Sequence, residues 1–185
     1  MLANILCCGS PDLKPKKKKT SSWQPNEYEL MLIKGTWSDD TDDLNNLGMD
    51  IYYYIFENNQ HVKALFPKIH HHGEGWRDSK DVKMQGYLFA TTLSKVIENI
   101  ENTDLVKPFL YKIGARHVAY AKRGFRPQFW DSFTDAMALC MTNRILTSMN
   151  YKVQKNDAIA TWKKFSVFVI NNLKEGFDST NAIAK

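Results

Sequence analysis

The chain is poor in the residues that cross-link or interrupt a polypeptide. Its 185 residues include three cysteines, six prolines and nine glycines. Cys7 and Cys8 are adjacent, and Cys140 lies in an apolar helical pattern, so the sequence offers no disulfide framework. This cysteine usage is typical of a reducing compartment, and we expect a cytoplasmic protein.

Long apolar runs are also missing. No stretch approaches the roughly 18 consecutive apolar residues of a membrane-spanning helix. The first lysines follow a short apolar run, whereas a secretory signal has the reverse order. We therefore expect neither export nor a membrane span. Apolar residues still make up 43% of the chain, which is enough for the core of one domain.

The net charge of +5 is concentrated at the start of the chain. Five lysines, Lys14 and Lys16 to Lys19, less Asp12, account for +4. Because the remainder is nearly neutral, we expect no nucleic-acid binding by the core domain. The predicted organisation is a flexible basic arm over residues 1–25, a folded domain over 26–177 and a C-terminal tail over 178–185.

The arm resembles the dual-palmitoylation arms of peripheral membrane proteins, because Cys7 and Cys8 precede the lysine run. Two acyl chains, or one chain plus a basic patch, give stable anchoring, and each lysine adds about 1 kcal/mol at an anionic leaflet. Leu2 stands where myristoylation requires glycine. The arm therefore predicts anchoring to the inner face of the plasma membrane. A nuclear-localisation signal and a merely solvated tail stay open as alternatives.

Helical periodicity dominates the rest of the chain, and strand-like alternation is scarce. Apolar residues recur at steps of three and four in each predicted helix. The predicted helices span 27–37, 41 to about 58, 79 to about 100, 106–117, 127 onward, and about 156 to a stop at Gly176. Breakers between residues 59 and 79 predict a loop-rich stretch with neither a long helix nor a strand. Six to eight helices predict an all-α fold packed by ridges into grooves.

His117 is the most informative single residue. The other four histidines, His61 and His70 to His72, crowd into one stretch. His117 instead ends an apolar stripe of Val106, Leu110 and Ile113, and their spacing places all four on one helical face. An imidazole at that position is either a hydrogen-bonded core residue or an axial metal ligand.

Several short motifs follow one another in a specific order. They are Ile33-Lys34-Gly35-Thr36-Trp37, Ala64-Leu65-Phe66-Pro67, Gln85-Gly86, Ile113-Gly114-Ala115-Arg116-His117, Gly124-Phe125-Arg126-Pro127 and the helix of Trp162. Together they resemble the globin family over about residues 27–177. The resemblance implies a globin fold around haem b, with His117 as the proximal iron ligand and its second ring nitrogen donating to a backbone carbonyl or side chain.

The resemblance also assigns the pocket walls. It implies that Phe66 stacks on the haem face and that Ile113 and Phe125 bind the cofactor. Gly48 and Gly86 match the small residues that let the second helix and the long helix cross closely.

On the distal side, the alignment puts Gln85 where histidine is commoner, Phe89 one turn further on, and Tyr52 over the iron. Tyr52 with Gln85 resembles the distal pair of nematode haemoglobins, which implies very slow oxygen release. Phe89 is bulkier than usual and could crowd the ligand or push Tyr52 aside. Tyr52 also heads a run of three tyrosines, so a one-residue slip would turn another one inward.

Some features depart from the family pattern. The turn between His117 and Phe129 is longer than usual, which leaves the propionate partners open among Lys68, Arg116 and Arg123. Gln60 replaces a proline that is common after the second helix. We expect an open sixth iron site, although His61 or the His70–His72 run could swing in. That run is only a weak candidate for a separate metal site, because contiguous loop histidines are usually solvated.

The resemblance implies reversible binding of oxygen and other diatomic gases, as a store or sensor. A redox enzyme is the main alternative: it would oxidise nitric oxide or process peroxide or superoxide, and it would need a separate electron donor. A membrane-tethered redox-signalling globin is another. The same haem residues would serve all three.

Overall fold

The computed structural model describes residues 23–147 and 154–183. Within these ranges the regular structure is helical, with eight α-helices, two 3-10 segments and no strand, which confirms the all-α prediction. The α-helices are α1 (Glu27–Thr36), α2 (Thr41–Asn58), α3 (Gln60–Lys63), α4 (Pro67–His70), α5 (Lys80–Glu98), α6 (Thr103–Arg116), α7 (Phe129–Thr147) and α8 (Lys155–Ile183); the 3-10 segments are Gly73–Asp78 and His117–Arg123.

Side-chain caps set the beginnings of the long helices. Asn26 and Glu29 form a capping box at α1. The Asp40 carboxylate accepts from two N–H groups of the first turn of α2, and the Ser79 hydroxyl accepts from the Val82 N–H of α5. Each cap pairs backbone donors that a helix start otherwise leaves unsatisfied. The predicted helix starts near residues 41 and 79 are confirmed.

The segment between α2 and α5 contains only the one-turn helices α3 and α4 and a 3-10 segment, joined by turns, so the prediction of neither a long helix nor a strand is confirmed. Pro67 occupies the first turn of α4, where its missing N–H costs nothing. Gly73 has a φ of +56°, a left-handed conformation that glycine adopts without strain, and it turns the chain after α4. These turns lead from α2 to the start of α5.

The close crossing of α2 and α5 is confirmed. A Cβ added to Gly48 would lie 2.2 Å from the carbonyl oxygen of Gly86, and one added to Gly86 would lie 2.7 Å from the carbonyl carbon of Gly48. The two backbones therefore touch directly. This contact places the Tyr52 turn of α2 beside the Gln85 turn of α5.

The predicted helix stop at Gly176 is wrong. Helix α8 runs through Gly176 to Ile183, so the predicted tail begins inside this helix. A Cβ on Gly176 would lie 2.0 Å from the Tyr111 carbonyl oxygen, and one on Gly114 would lie 1.9 Å from the Leu173 carbonyl oxygen. Both glycines thus serve a second backbone contact, between α6 and α8, and Gly176 is not a C-terminal cap.

The packed structure begins before α1. The Trp23 ring lies 5.5 Å from the ring of Phe168, and Pro25 is buried. Cys7 and Cys8 lie outside the described residues, and so does the lysine run. Among the helices that the structure describes, none combines the length and the apolar character needed to cross a bilayer.

Candidate functional site

One cavity of about 580 Å³ lies among α2, α5, α6, α7 and α8 and opens beside α4. Its volume falls within the range of about 300 to 1,000 Å³ that is typical of ligand pockets. Aromatic and aliphatic side chains make up most of its lining. The structure brings together here the predicted site residues Tyr52, Phe66, Gln85, Phe89, Ile113, His117 and Phe125. Their roles stay predictions, but their common location is a feature of the fold.

His117 directly follows α6, where the helix tightens into the 3-10 segment. Its Nδ1 lies 2.8 Å from the carbonyl oxygen of Ile113, one turn earlier. Because a carbonyl can only accept, Nδ1 carries the proton and Nε2 of the neutral ring keeps a free lone pair. Burial lowers the pKa of His117, although the bond to Ile113 opposes this effect. The imidazole is therefore kept neutral, in the form that binds metals.

Aromatic rings fix the orientation of that imidazole. The centroids of the Trp130, Phe125 and Tyr120 rings lie 5.1, 5.5 and 5.6 Å from the centroid of the His117 ring. Neither Trp130 nor Tyr120 was predicted from the sequence as a pocket residue. Trp130 could have been found from its spacing of three from Phe133, since both lie on the buried face of α7.

Tyr52 and Gln85 form a buried polar pair in the same cavity. The Gln85 amide Nε2 donates to the Tyr52 hydroxyl oxygen at 2.9 Å. Tyr52 is only 2% exposed, and burial raises the pKa of its phenol well above the ordinary value of 10.0. The hydroxyl therefore stays protonated at neutral pH. In the part of the chain that the structure describes, Gln85 is its one hydrogen-bond partner, so the phenolic hydrogen remains available to a ligand.

Phe89 does not displace Tyr52. Their rings pack edge to face with centroids 6.1 Å apart, and Phe66 packs similarly against Tyr52 at 5.5 Å. The neighbouring tyrosines point elsewhere: the Tyr53 hydroxyl donates to the carbonyl oxygen of Arg77, and Tyr54 lines a second, smaller cavity. Of the three consecutive tyrosines, Tyr52 is the one turned inward.

Charged residues lie at the rim of the main cavity. Lys68 and Arg123, two of the three candidate propionate partners, contribute to its lining and are exposed, whereas Arg116 is not part of the described lining. Asp81 also lines the cavity and was missed by the sequence analysis. No sequence signal marks it, because its position depends on how α5 packs against the preceding turns.

The clustered histidines lie elsewhere. His61 and His70 to His72 do not belong to the described lining of the cavity. The His61 ring packs 5.4 Å from the ring of Phe129, and His72 Nε2 lies 2.9 Å from Asp81 Oδ2. The structure therefore does not bring any of these four side chains to the position of a sixth iron ligand.

These residues fit a haem. The cofactor is a flat, largely apolar ring that carries two carboxylates and an iron in need of an axial donor. The cavity supplies aromatic walls, a neutral imidazole with a free nitrogen lone pair, and two cations at the rim. His117 would hold the iron, Phe66 and Phe125 would contact the ring, and Lys68 and Arg123 would face the carboxylates.

Comparisons with known proteins bear on the family and the fold. The globin family model matches residues 49–173. The globin-related protein glb-13 of Caenorhabditis elegans is 22% identical over 142 residues, which are 76% of this chain and 48% of that protein, so the chain spans about half the length of this relative. The crystal structure of a hexacoordinated heme protein from an anhydrobiotic tardigrade superposes with a TM-score of 0.68 at 15% identity, covering 83% of this chain and 96% of that one. The fold, the cavity and the family match lead to one conclusion: the chain belongs to the globin family.

Proposed function

We propose that this haem globin binds oxygen reversibly at an open sixth iron site and acts as an oxygen store or sensor. In this proposal, His117 is the proximal ligand, and Tyr52 with Gln85 retains the bound gas. The observation that carries the proposal is the buried hydrogen bond from Gln85 to Tyr52, which lies in the same cavity as His117.

Ferrous haem supplies an iron that binds diatomic gases and makes oxygen partly negative. The phenol of Tyr52 is well suited to that charge, since it is protonated and its hydrogen is not used by another described group. Gln85 donates to the phenolic oxygen, which holds the ring in place and polarises its O–H bond toward donation. In this proposal Gln85 acts as a positioning residue, which retains the bound gas through Tyr52.

The surroundings of Tyr52 make its hydrogen bond stronger. Four aromatic rings, those of Phe56, Phe66, Phe89 and Phe133, have centroids within 6.1 Å of the Tyr52 ring. Water is largely excluded from such an environment, and electrostatic interactions gain in strength there. A hydrogen bond to a charged acceptor contributes about 1.5 to 3 kcal/mol. That energy corresponds to oxygen release slowed by roughly ten- to a hundred-fold.

The test is the oxygen dissociation rate of Tyr52→Phe, measured by stopped flow on the ferrous protein. We expect a rise of roughly ten- to a hundred-fold, with a smaller change for carbon monoxide, which carries less charge. Tyr53→Phe is the matched control, since its hydroxyl bonds to the Arg77 carbonyl outside the cavity. An unchanged oxygen rate in Tyr52→Phe would overturn the assignment of Tyr52.

A second comparison tests the positioning role of Gln85. Gln85→Leu should speed oxygen release in the wild-type background and have little further effect when Tyr52 is already phenylalanine. Equal effects in the two backgrounds would mean that Gln85 contacts the ligand independently of Tyr52.

A further inference from the structure

Two imidazoles and one carboxylate converge where the turn after α4 meets the start of α5, outside the predicted haem ligands. One ligand atom each from His71, His72 and Asp81 lies within 4.8 Å of the other two. The rings of His71 and His72 have centroids 3.9 Å apart, and His72 Nε2 lies 2.9 Å from Asp81 Oδ2. Donor atoms around tetrahedral zinc are about 3.3 Å apart, so side-chain adjustments of about 1.5 Å would complete such a sphere.

The backbone that carries these three residues is fixed at several points. Ile69 and Trp76 are buried and anchor the turns on either side of His71 and His72. Ser79 accepts from the Val82 N–H and donates to the Trp76 carbonyl, which fixes the start of α5 next to Asp81. Binding an ion would therefore require little additional ordering of the chain, and preorganisation of this kind favours affinity.

The donor set selects the class of ion. Imidazole nitrogens suit Zn²⁺, Cu²⁺ and Ni²⁺, whereas Ca²⁺ takes six to eight oxygen ligands. The site offers two nitrogens and one carboxylate. The hydrogen bond with His72 and, to a smaller extent, the charge of Lys68 lower the pKa of Asp81, and the same Lys68 charge opposes a weakly held cation. The His72 and Asp81 side chains are 32% and 35% exposed, which leaves room for water as a further ligand.

We propose that His71, His72 and Asp81 bind a divalent first-row transition-metal ion, with water completing its coordination. The simpler explanation of the cluster is a hydrogen bond between His72 and Asp81, with His71 as a neighbour that has no part in it. The two explanations differ at His71. That residue is not needed for the hydrogen bond, but it supplies the third ligand of a metal site.

The experiment is calorimetric titration of Zn²⁺ into the full, haem-loaded chain, because zinc is redox-inert and haem would occupy His117. We expect one zinc ion to bind per chain. Its affinity should fall at least tenfold in His71→Ala, in His72→Ala and in Asp81→Asn. His70→Ala is the matched control: it removes an exposed histidine of the same run that is not part of the cluster. The visible spectrum of each variant shows whether it has folded around the haem.

Three results would overturn the site. The first is the absence of saturable zinc binding. The second is undiminished affinity in His71→Ala, which would leave only the hydrogen-bonded pair. The third is zinc binding that persists in all three variants, which would place the ion elsewhere, for example on Cys7 and Cys8.

Discussion

The substitution Gly48→Ala tests whether the contact between α2 and α5 determines the distal side of the cavity. The new Cβ would lie 2.2 Å from the Gly86 carbonyl oxygen, whereas ordinary van der Waals contact begins near 3.4 Å. Because the obstacle is backbone, it cannot rotate aside as a flexible side chain would. The two helices must move apart by about 1.2 Å at this point.

The expected loss of stability follows from two opposing effects. Overpacking of this kind costs about 1 to 3 kcal/mol, and a backbone clash belongs at the upper end. Alanine regains about 1 kcal/mol of helix propensity relative to glycine. We therefore expect a net loss of about 2 kcal/mol, or a Tm lower by roughly 4 to 8 °C for a domain of this size.

The same movement should affect the distal pair. Tyr52 lies one turn after Gly48 on α2, and Gln85 directly precedes Gly86 on α5. Adding about 1 Å to the 2.9 Å between the Gln85 amide nitrogen and the Tyr52 oxygen would break that hydrogen bond. Oxygen release should then speed up, as expected for Gln85→Leu, although no pocket side chain has been changed.

Urea unfolding and stopped-flow oxygen release measure the two effects. Gly86→Ala should cost less, because its nearest contact is 2.7 Å, and Gly75→Ala is the control, because nothing lies within 4 Å of its added Cβ. Wild-type stability in Gly48→Ala would refute the steric argument. Lost stability with unchanged oxygen release would refute the link between the crossing and the distal pair.

Two further predictions concern the cysteines. Burial raises the pKa of Cys140 to about 12 from an ordinary 9.0, so at pH 8 only about one in ten thousand of these thiols is ionised. Thiol-specific alkylation monitored by mass spectrometry should therefore modify Cys140 only after unfolding, and rapid labelling in the folded protein would contradict its burial. Replacing Cys7 and Cys8 with serine should shift the full chain from the membrane fraction to the soluble fraction; an unaltered distribution would dismiss the acylated arm.

The sequence was most informative where a local pattern determines the outcome. The caps at Asp40 and Ser79 act on their own first turns, so their role could be predicted without knowledge of the tertiary structure. The apolar stripe determines the helical face on which His117 lies. The hydrogen bond from His117 to the Ile113 carbonyl is likewise local, because the two residues are only four positions apart. The globin motifs supplied the other predicted pocket residues.

The sequence was least informative where a residue acts through another helix. A glycine such as Gly176 is typical of a helix C-terminus. Gly176 nevertheless lies inside α8, where the backbone at Tyr111 packs against it. Tyr120 and Asp81 reach the cavity through packing between elements, which residue spacing within one helix does not reveal. Glycines inside helices are an exception, because they can reveal a contact with another helix. Glycine lowers the stability of a helix, so its presence there usually indicates a packing reason. Gly48 and Gly86 were identified by the resemblance to the globin family, and Gly114 could have been identified from its cost inside a helix.

Two backbone contacts between helices determine the geometry of the pocket. The contact between α2 and α5 lies on the side of Tyr52 and Gln85, and the contact between α6 and α8 lies on the side of His117. Gly48 and Gly86 determine how closely Tyr52 and Gln85 can approach, while Gly114, three residues before His117, lies against the backbone of α8. The contact from Gln85 to Tyr52 joins two helices that cannot shift independently, whereas the bond from His117 to Ile113 lies at the end of one helix, α6, whose position against α8 depends on Gly114. Ligand retention in this globin should accordingly respond to glycine substitutions outside the cavity as well as to the identity of the residues that line it.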